Sequence, residues 1–308
     1  MGRRNKKGRD LTGIIIIDKP TGRSSNHVLQ QVKHLFNANK AGHTGSLDPL
    51  ATGVLPVCLG EATKVSSYLL DADKQYHVTC QLGVVTDSGD SDGVVISSSV
   101  IPEFTQQDVL ALLPRFMGEL DQVPPMFSAL KHQGQPLYKL ARQGIEVERK
   151  SRQITIYDIQ LLAITADSFS LDVRCSKGTY IRTLVEDISH ALGSAGHVIM
   201  LRRVAAAGYR EQQALSIEQL MASAENGLAA LDALLLPAED ALPEWPSVVL
   251  SDYRVAAIRL GQAVQVEQTF QSANVRLFDQ QQQFIGLAEM TDAGMVQPKR
   301  VFVQPNTQ

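Results

Sequence analysis

The sequence predicts an α+β fold, a mixed and mainly antiparallel sheet flanked by helices, followed by a small β-rich C-terminal domain. Three observations lead there. Strand-like and helix-like runs alternate irregularly, and neighbouring strands are often separated only by short turns, which disfavours a doubly wound parallel sheet. No Lys or Arg occurs between Glu211 and Ser247, a stretch that ends in Leu242-Pro243-Glu244-Trp245-Pro246 and reads as helices followed by a linker. Hydrophobic residues make up 44% and charged residues 20% of the 308, enough apolar material for a real core. The linker places the domain boundary so that residues 1–246 form one domain and 247–308 a second.

Taken in order, Gly13–Asp18 reads as a strand closed by the turn residues Lys19-Pro20-Thr21-Gly22. Ser24, Ser25 and Asn26 offer N-caps for a helix whose apolar face is Val28, Leu29, Val32, Leu35 and Phe36. Gly42–Gly60 holds four glycines and two prolines and reads as loop-rich rather than one regular element. Tyr76, Val78, Cys80 and Leu82 alternate with polar residues, as on a half-buried strand. Thr105 caps a short helix that Pro114 stops. Residues 123–152 mix prolines, glycines and basic residues around a helix at Leu137–Gln143, an excursion from the main sheet. Strands follow at Ile154–Leu162 and Phe169–Cys175. A helix then starts near Thr179, buries Ile181, Leu184, Val185, Ile188 and Leu192, and stops at Gly193. The C-terminal domain shows a helix at Tyr253–Leu260 and strands at Val275–Asp279, Phe284–Met290 and Arg300–Gln304.

Composition narrows the function. The longest apolar run near the start, Ile14–Ile17, is too short for a membrane span or a signal segment, so a cytoplasmic protein is expected. Cys58, Cys80 and Cys175 stand far apart, which argues against a disulfide framework or a zinc cluster. The histidines have no metal-ligand spacing, so no protein-bound metal is expected. Asp87-Ser88-Gly89-Asp90-Ser91-Asp92-Gly93 fails the calcium-loop template, with Ser88 at the first ligand position and Ser99 at the last, and reads as a polar turn. There is no phosphate-binding loop or dinucleotide fingerprint. Net charge is −3, but it is unevenly spread. Residues 1–210 carry 24 basic against 20 acidic residues, and 211–308 carry 5 against 12. The front is positive in patches, at Arg3, Arg4, Lys6, Lys7 and Arg9 and again at Lys139, Arg142, Arg149, Lys150 and Arg152. Such clusters suit phosphate contacts, which act locally.

The densest segment is Ala41–Pro56, where small residues surround one carboxylate, Asp48. Pro49 restricts Asp48 to an extended conformation, so the carboxylate sits on a stiff loop. It could act as nucleophile, base or cation ligand; loop aspartates also commonly serve as turn or capping residues.

The run GHTGSLDPLATGVLPVCLGEATK, Gly42–Lys64, resembles the signature of the TruB family of tRNA pseudouridine synthases, in its bacterial branch. The resemblance extends to Gly13–Ser25, Lys74-Gln75-Tyr76, Thr86–Gly93, Ser128–Lys131, Cys175–Thr183 and His197–Arg203, and so spans nearly all of residues 10–210. It implies the pseudouridine synthase core as the fold of residues 1–246. The activity implied is a cofactor-free isomerisation of the T-loop uridine at tRNA position 55, on a base flipped out of its stack. Asp48 would be the essential carboxylate, by a covalent or a glycal route. Tyr76 would stack on the uracil, and Arg182 would pair with Asp48 and keep it ionised. His43 would fill the space the base leaves, and Leu201 would line the pocket. Lys19, Lys64, Tyr180 and Lys177 would contact the substrate or support the pocket. Residues 123–152 would be an insertion clamping the T-stem-loop of the tRNA partner, and residues 247–308 a reduced PUA-like RNA-binding module. That module has five basic residues, which points to a modest contact with the acceptor arm. No metal, cofactor or membrane partner is implied, and a monomer is expected.

Two other readings compete. A non-catalytic tRNA-binding or folding chaperone would keep the basic patches but would not need Asp48, Tyr76 and Arg182 together. The archaeal and eukaryotic relatives work inside a guide-RNA particle, whereas this chain begins close to its first strand and ends soon after a short tail domain. A glycosidase would need a second carboxylate as acid, and none stands out near Asp48 in the sequence.

Overall fold

Four consecutive isoleucines, all buried, start the fold. In the computed structural model, which describes residues 8–268, 270 and 272–303, they form strand β1 (Gly13–Lys19). The basic residues Arg3, Arg4, Lys6 and Lys7, and the expected strand end at Gln304, lie outside the described residues. Helix α1 (Ser25–Leu35) follows, and the Ser24 hydroxyl accepts the His27 amide at 3.1 Å, as an N-cap should. Next come β2 (Ala41–His43), β3 (Thr52–Leu59), α2 (Ser66–Leu70), β4 (Lys74–Leu82), α3 (Gln106–Leu112) and β5 (Gly118–Gln122). The chain continues through α4 (Leu137–Ala141), β6 (Arg152–Ile164), β7 (Ser168–Cys175), α5 (Ile181–Ala191), β8 (Gly196–Ala206) and β9 (Tyr209–Arg210). Helices α6 (Ile217–Glu225) and α7 (Leu228–Asp232) occupy the stretch that lacks basic residues.

These strands make one nine-stranded sheet in the order β1-β3-β8-β4-β7-β6-β5, with β2 beside β3 and β9 beside β8. All neighbours are antiparallel except β3 and β8, which pair in parallel at Thr52 with Arg202 and Gly53 with Arg203. Strand β4 alternates strictly, burying Tyr76, Val78, Cys80 and Leu82. Its other face carries a polar lattice in which Asp172 accepts from Gln75 at 2.8 Å and meets His77 at 2.9 Å, while Thr79 meets Ser170 at 2.9 Å. Helix α5 packs on the buried face through Ile181, Leu184, Val185 and Ile188, each contributing about 2 kcal/mol by burial. Towards the β1 end of the sheet, α1 and α6 cover β1 and β3.

A second sheet of five strands completes the described chain. It contains β10 (Ser247–Leu250), β11 (Val264–Gln265), β12 (Asn274–Asp279), β13 (Phe284–Met290) and β14 (Met295–Val301), ordered β10-β12-β13-β14-β11, with helix α8 (Asp252–Arg259) packed on it. Leu287 and Phe302 join a cluster with Ile14, Ala62, Val65 and Leu69, so this unit rests directly on the first sheet's flank. Among the described residues no helix is long and apolar enough to cross a membrane.

The structure corrects the sequence reading in four places. The loop-rich stretch Gly42–Gly60 ends in an eight-residue strand, β3, that the sequence reading did not single out. Its Pro56 is tolerated because β8 pairs only with Thr52 and Gly53 and β2 only with Val57–Leu59, leaving a gap where no second ladder needs an amide. Strand β8 was not expected at all, yet it lies in the middle of the sheet. Pro114 does not end the helical region, which continues as a 3-10 turn through Phe116. The last strand runs from Met295 to Val301 rather than from Arg300 onward.

Candidate active site

Asp48 is fixed by the backbone around it. Buried Ser25, in the first turn of α1, grips Leu47 from both sides: its hydroxyl accepts the Leu47 amide at 2.8 Å and donates to the Leu47 carbonyl at 3.1 Å. Lys19, fully buried, donates its ammonium to the carbonyls of Pro20, Arg23 and Pro49 and so ties the end of β1 to the loop just past Asp48. The Ala51 amide donates to the Asp48 carbonyl at 3.1 Å and closes the turn.

The opposing cation comes from α5. Gln122 at the end of β5 clamps the backbone of Tyr180, accepting its amide at 2.7 Å and donating to its carbonyl at 3.0 Å, which sets where the helix begins. Two residues later Arg182 is 4% exposed, with Nε 3.0 Å from Asp48 Oδ2. Its Nη1 donates to the Ser88 carbonyl and lies 3.4 Å from Asp90 Oδ2, and its Nη2 donates to the Phe127 carbonyl at 2.7 Å. A cation at a helix N-terminus opposes the helix dipole, and these acceptors offset that cost.

The Asp48 carboxylate is 38% exposed and faces a cavity of about 300 Å³, at the lower end of the range for small-molecule sites. Tyr76, Leu201, Tyr180 and Ile181 give it apolar and aromatic walls, and Lys74, Arg152, Arg182 and Arg203 make it cationic. Burial pushes the Asp48 carboxyl above the usual carboxylate range. Arg182 and Lys19 pull it down, while Asp90 and Asp92 push it further up. Arg182 therefore pairs with Asp48, as the sequence reading expects, but does not set the sign of the shift. Burial also pushes the Tyr76 phenol up, and pulls the ammonium groups of Lys19 and Lys74 down to about 8.

The structure thus gathers Asp48, Arg182, Tyr76, Tyr180 and Leu201 around one cavity. His43 lies on β2 outside the cavity wall, with a buried Nδ1 that has no partner and a pKa lowered by burial. Lys64 is placed elsewhere: its ammonium binds Glu61 and donates to the Val301 carbonyl at 2.6 Å, beside the Phe302 ring, at the junction with the second sheet. Lys177 stands at the rim, 2.9 Å from Asp71.

Four contributors escaped the sequence reading. Arg203 is 1% exposed and donates to the carbonyls of Val54 at 2.7 Å and Gly45 at 3.2 Å, filling the gap in the β3 ladder. A Cβ on Gly53 would come within 2.2 Å of the Arg203 carbonyl, so only glycine permits β8 to approach there. Asp90, read as part of a polar turn, is the second carboxylate on Arg182; Ser88 Oγ donates to its Oδ1 at 2.6 Å. Asp90 does not line the cavity and offers no acid to a leaving group there. Gln122 carries no sequence signal, and Lys74 stands in the run that resembles the family without a role being read for it; their positions depend on which strands become neighbours. Among the described residues no group of three or more His, Cys, Asp or Glu side chains could hold a metal ion.

Comparisons with known proteins agree with this architecture. Residues 33–181 match the model of the TruB family pseudouridylate synthase N-terminal domain. Residues 182–243 match the tRNA pseudouridylate synthase B C-terminal domain, and 246–302 the C-terminal domain of pseudouridine synthase II TruB. The tRNA pseudouridine synthase B of Pasteurella multocida is 49% identical over 306 residues, covering 99% of both chains. That of Nitrosococcus oceani is 50% identical over 298 residues, covering 97% of both. Among solved structures, a Cbf5-Nop10-Gar1 complex contains a chain matched with a TM-score of 0.72 and 27% identity, covering 94% of this chain and 85% of that one. The chain belongs to the TruB family of tRNA pseudouridine synthases, enzymes that isomerise uridine to pseudouridine.

Proposed function

We propose that the chain isomerises the T-loop uridine at tRNA position 55, with Asp48 as the carboxylate that acts on the ribose. The observation that carries this reading is the Asp48 carboxylate, held by buried Arg182 and facing a small cavity with aromatic walls. Such a cavity takes a single flipped nucleotide and excludes a stacked duplex. Tyr76 supplies the stacking surface, Leu201 the apolar wall and Tyr180 the rim. The reaction needs no external reagent. The bond from ribose C1′ to N1 breaks and one to C5 forms, while C5 loses a proton and N1 gains one, so substrate and product are isomers. Lys19 supports the loop that carries Asp48, His43 fills the space the flipped base leaves in the RNA, residues 123–152 clamp the T-stem-loop, and residues 247–308 form a PUA-like contact to the acceptor arm.

The test incubates an unmodified tRNA transcript with wild-type protein and with Asp48→Asn, and maps pseudouridine by carbodiimide labelling and primer extension. Wild type gives a stop at the T-loop uridine. Asp48→Asn lowers its rate of appearance by about 10³-fold or more and leaves tRNA binding within a few fold. A stop at another loop sinks the site assignment, and an active Asp48→Asn protein sinks the role of the carboxylate.

A further inference from the structure

An ion pair closes over the rim of the active-site cavity. Leu70 and Lys74 belong to one wall, Ser176 and Gly178 to the other. Between them on each side, Asp71 and Lys177 stand outside the wall and meet at 2.9 Å, with 65% and 58% of their side-chain surfaces exposed. Folding gives this pair little reason to exist. An exposed ion pair contributes little to stability. Asp71 is the C-cap of α2, where a carboxylate opposes the helix dipole. The carbonyls at that end already have a cation, since Lys74 donates to the Leu70 carbonyl at 2.7 Å and to that of Ala72. An anion on the rim of a pocket for a polyanion also weakens binding.

The isomerisation itself supplies the reason. Substrate and product carry the same charge, so every phosphate contact holds both equally, and a contact that aids capture slows release. We propose that Asp71 is an internal competitor for the RNA backbone: a substrate phosphate takes Lys177 from Asp71 on entry, and Asp71 recaptures Lys177 as the product leaves. This rests on the tRNA-isomerase reading above. It makes Lys177 a phosphate-binding residue of the rim and Asp71 a release residue that never touches the reacting atoms. The weakness of an exposed pair suits it to this exchange.

The test uses the full chain with fluorescent tRNA, unmodified and pseudouridylated, and follows dissociation by stopped flow. Asp71→Asn slows dissociation of both tRNAs about three- to tenfold at low salt, less at higher salt. It also lowers the multiple-turnover rate more than the single-turnover rate. Lys177→Gln weakens binding, and in that background most of the Asp71→Asn effect disappears. Faster dissociation of Asp71→Asn would show that Asp71 orients Lys177 instead, and additive effects of the two substitutions would reduce Asp71 to general repulsion; either result overturns the proposal. A wild-type protein that binds tRNA without isomerising it would instead overturn the underlying function, which the same preparations reveal by labelling.

Discussion

Arg182 and Arg202 each hold two carboxylates, and their surroundings make them different devices. Arg202 is 30% exposed; its two terminal nitrogens each donate to Asp18 at 3.0 Å and its Nε to Glu211 at 2.8 Å. It fastens β1 to β8 and the turn after β9, and solvent reaches the pair. Arg182, 4% exposed, has the poorer fork but the drier site, and one of its carboxylates faces an open cavity. The Arg202 cluster is a fastening whose removal water can repair. In the Arg182 cluster the arginine and Asp90 are both buried, and losing the arginine leaves Asp90 uncompensated.

The largest expected effect falls on Arg182. Arg182→Met leaves Asp90 buried without its cation, costs about 3 kcal/mol in chemical denaturation, and lowers single-turnover isomerisation by about 10³-fold. Arg182→Lys keeps the charge, loses the fork to Ser88 and Phe127, and retains part of the activity.

The pH profile comes next. In the role proposed for Asp48 its ionised form is the active one, so activity falls as pH drops through its folded pKa. Burial raises that pKa, which places the fall at higher pH than for an ordinary aspartate. Asp90→Asn removes one of the groups that push it up, so the acid limb of the single-turnover rate moves to lower pH. An unmoved limb would show that another group titrates.

The smallest effect belongs to Arg202. Arg202→Met costs about 1 kcal/mol and leaves the isomerisation rate within about threefold. Losses matching those of Arg182→Met would break the comparison and mean that the sheet register itself depends on the exposed clamp.

Much of this was legible in the chain. The alternation in β4, the caps at Ser24 and Thr105, and the stop at Gly193 are local, and each lies where the residues place it. The Asp48 loop stood out through its small residues and Pro49, and the resemblance drew Tyr76 and Arg182 to it. Strand β8 was missed because two register shifts against β4 break its period of two, and because it carries the buried charge of Arg203 where a core strand should read apolar. Lys64 was read by resemblance as contacting the substrate or supporting the pocket, and its ammonium binds Glu61 and the Val301 carbonyl at the junction with the second sheet.

By itself the sequence determined what nearest neighbours can decide: where strands and helices form, where the chain must turn, and that Asp48 sits on a constrained loop. The tertiary structure decided that Asp48, Asp90 and Arg182 share one charge cluster, that Arg203 fills a gap in a ladder, and that Asp71 reaches Lys177 across the rim. The physical reason is range. Periodicity and dihedral limits act over a few residues, whereas these contacts join residues about 90 to 150 positions apart and exist only once strand order and register are set.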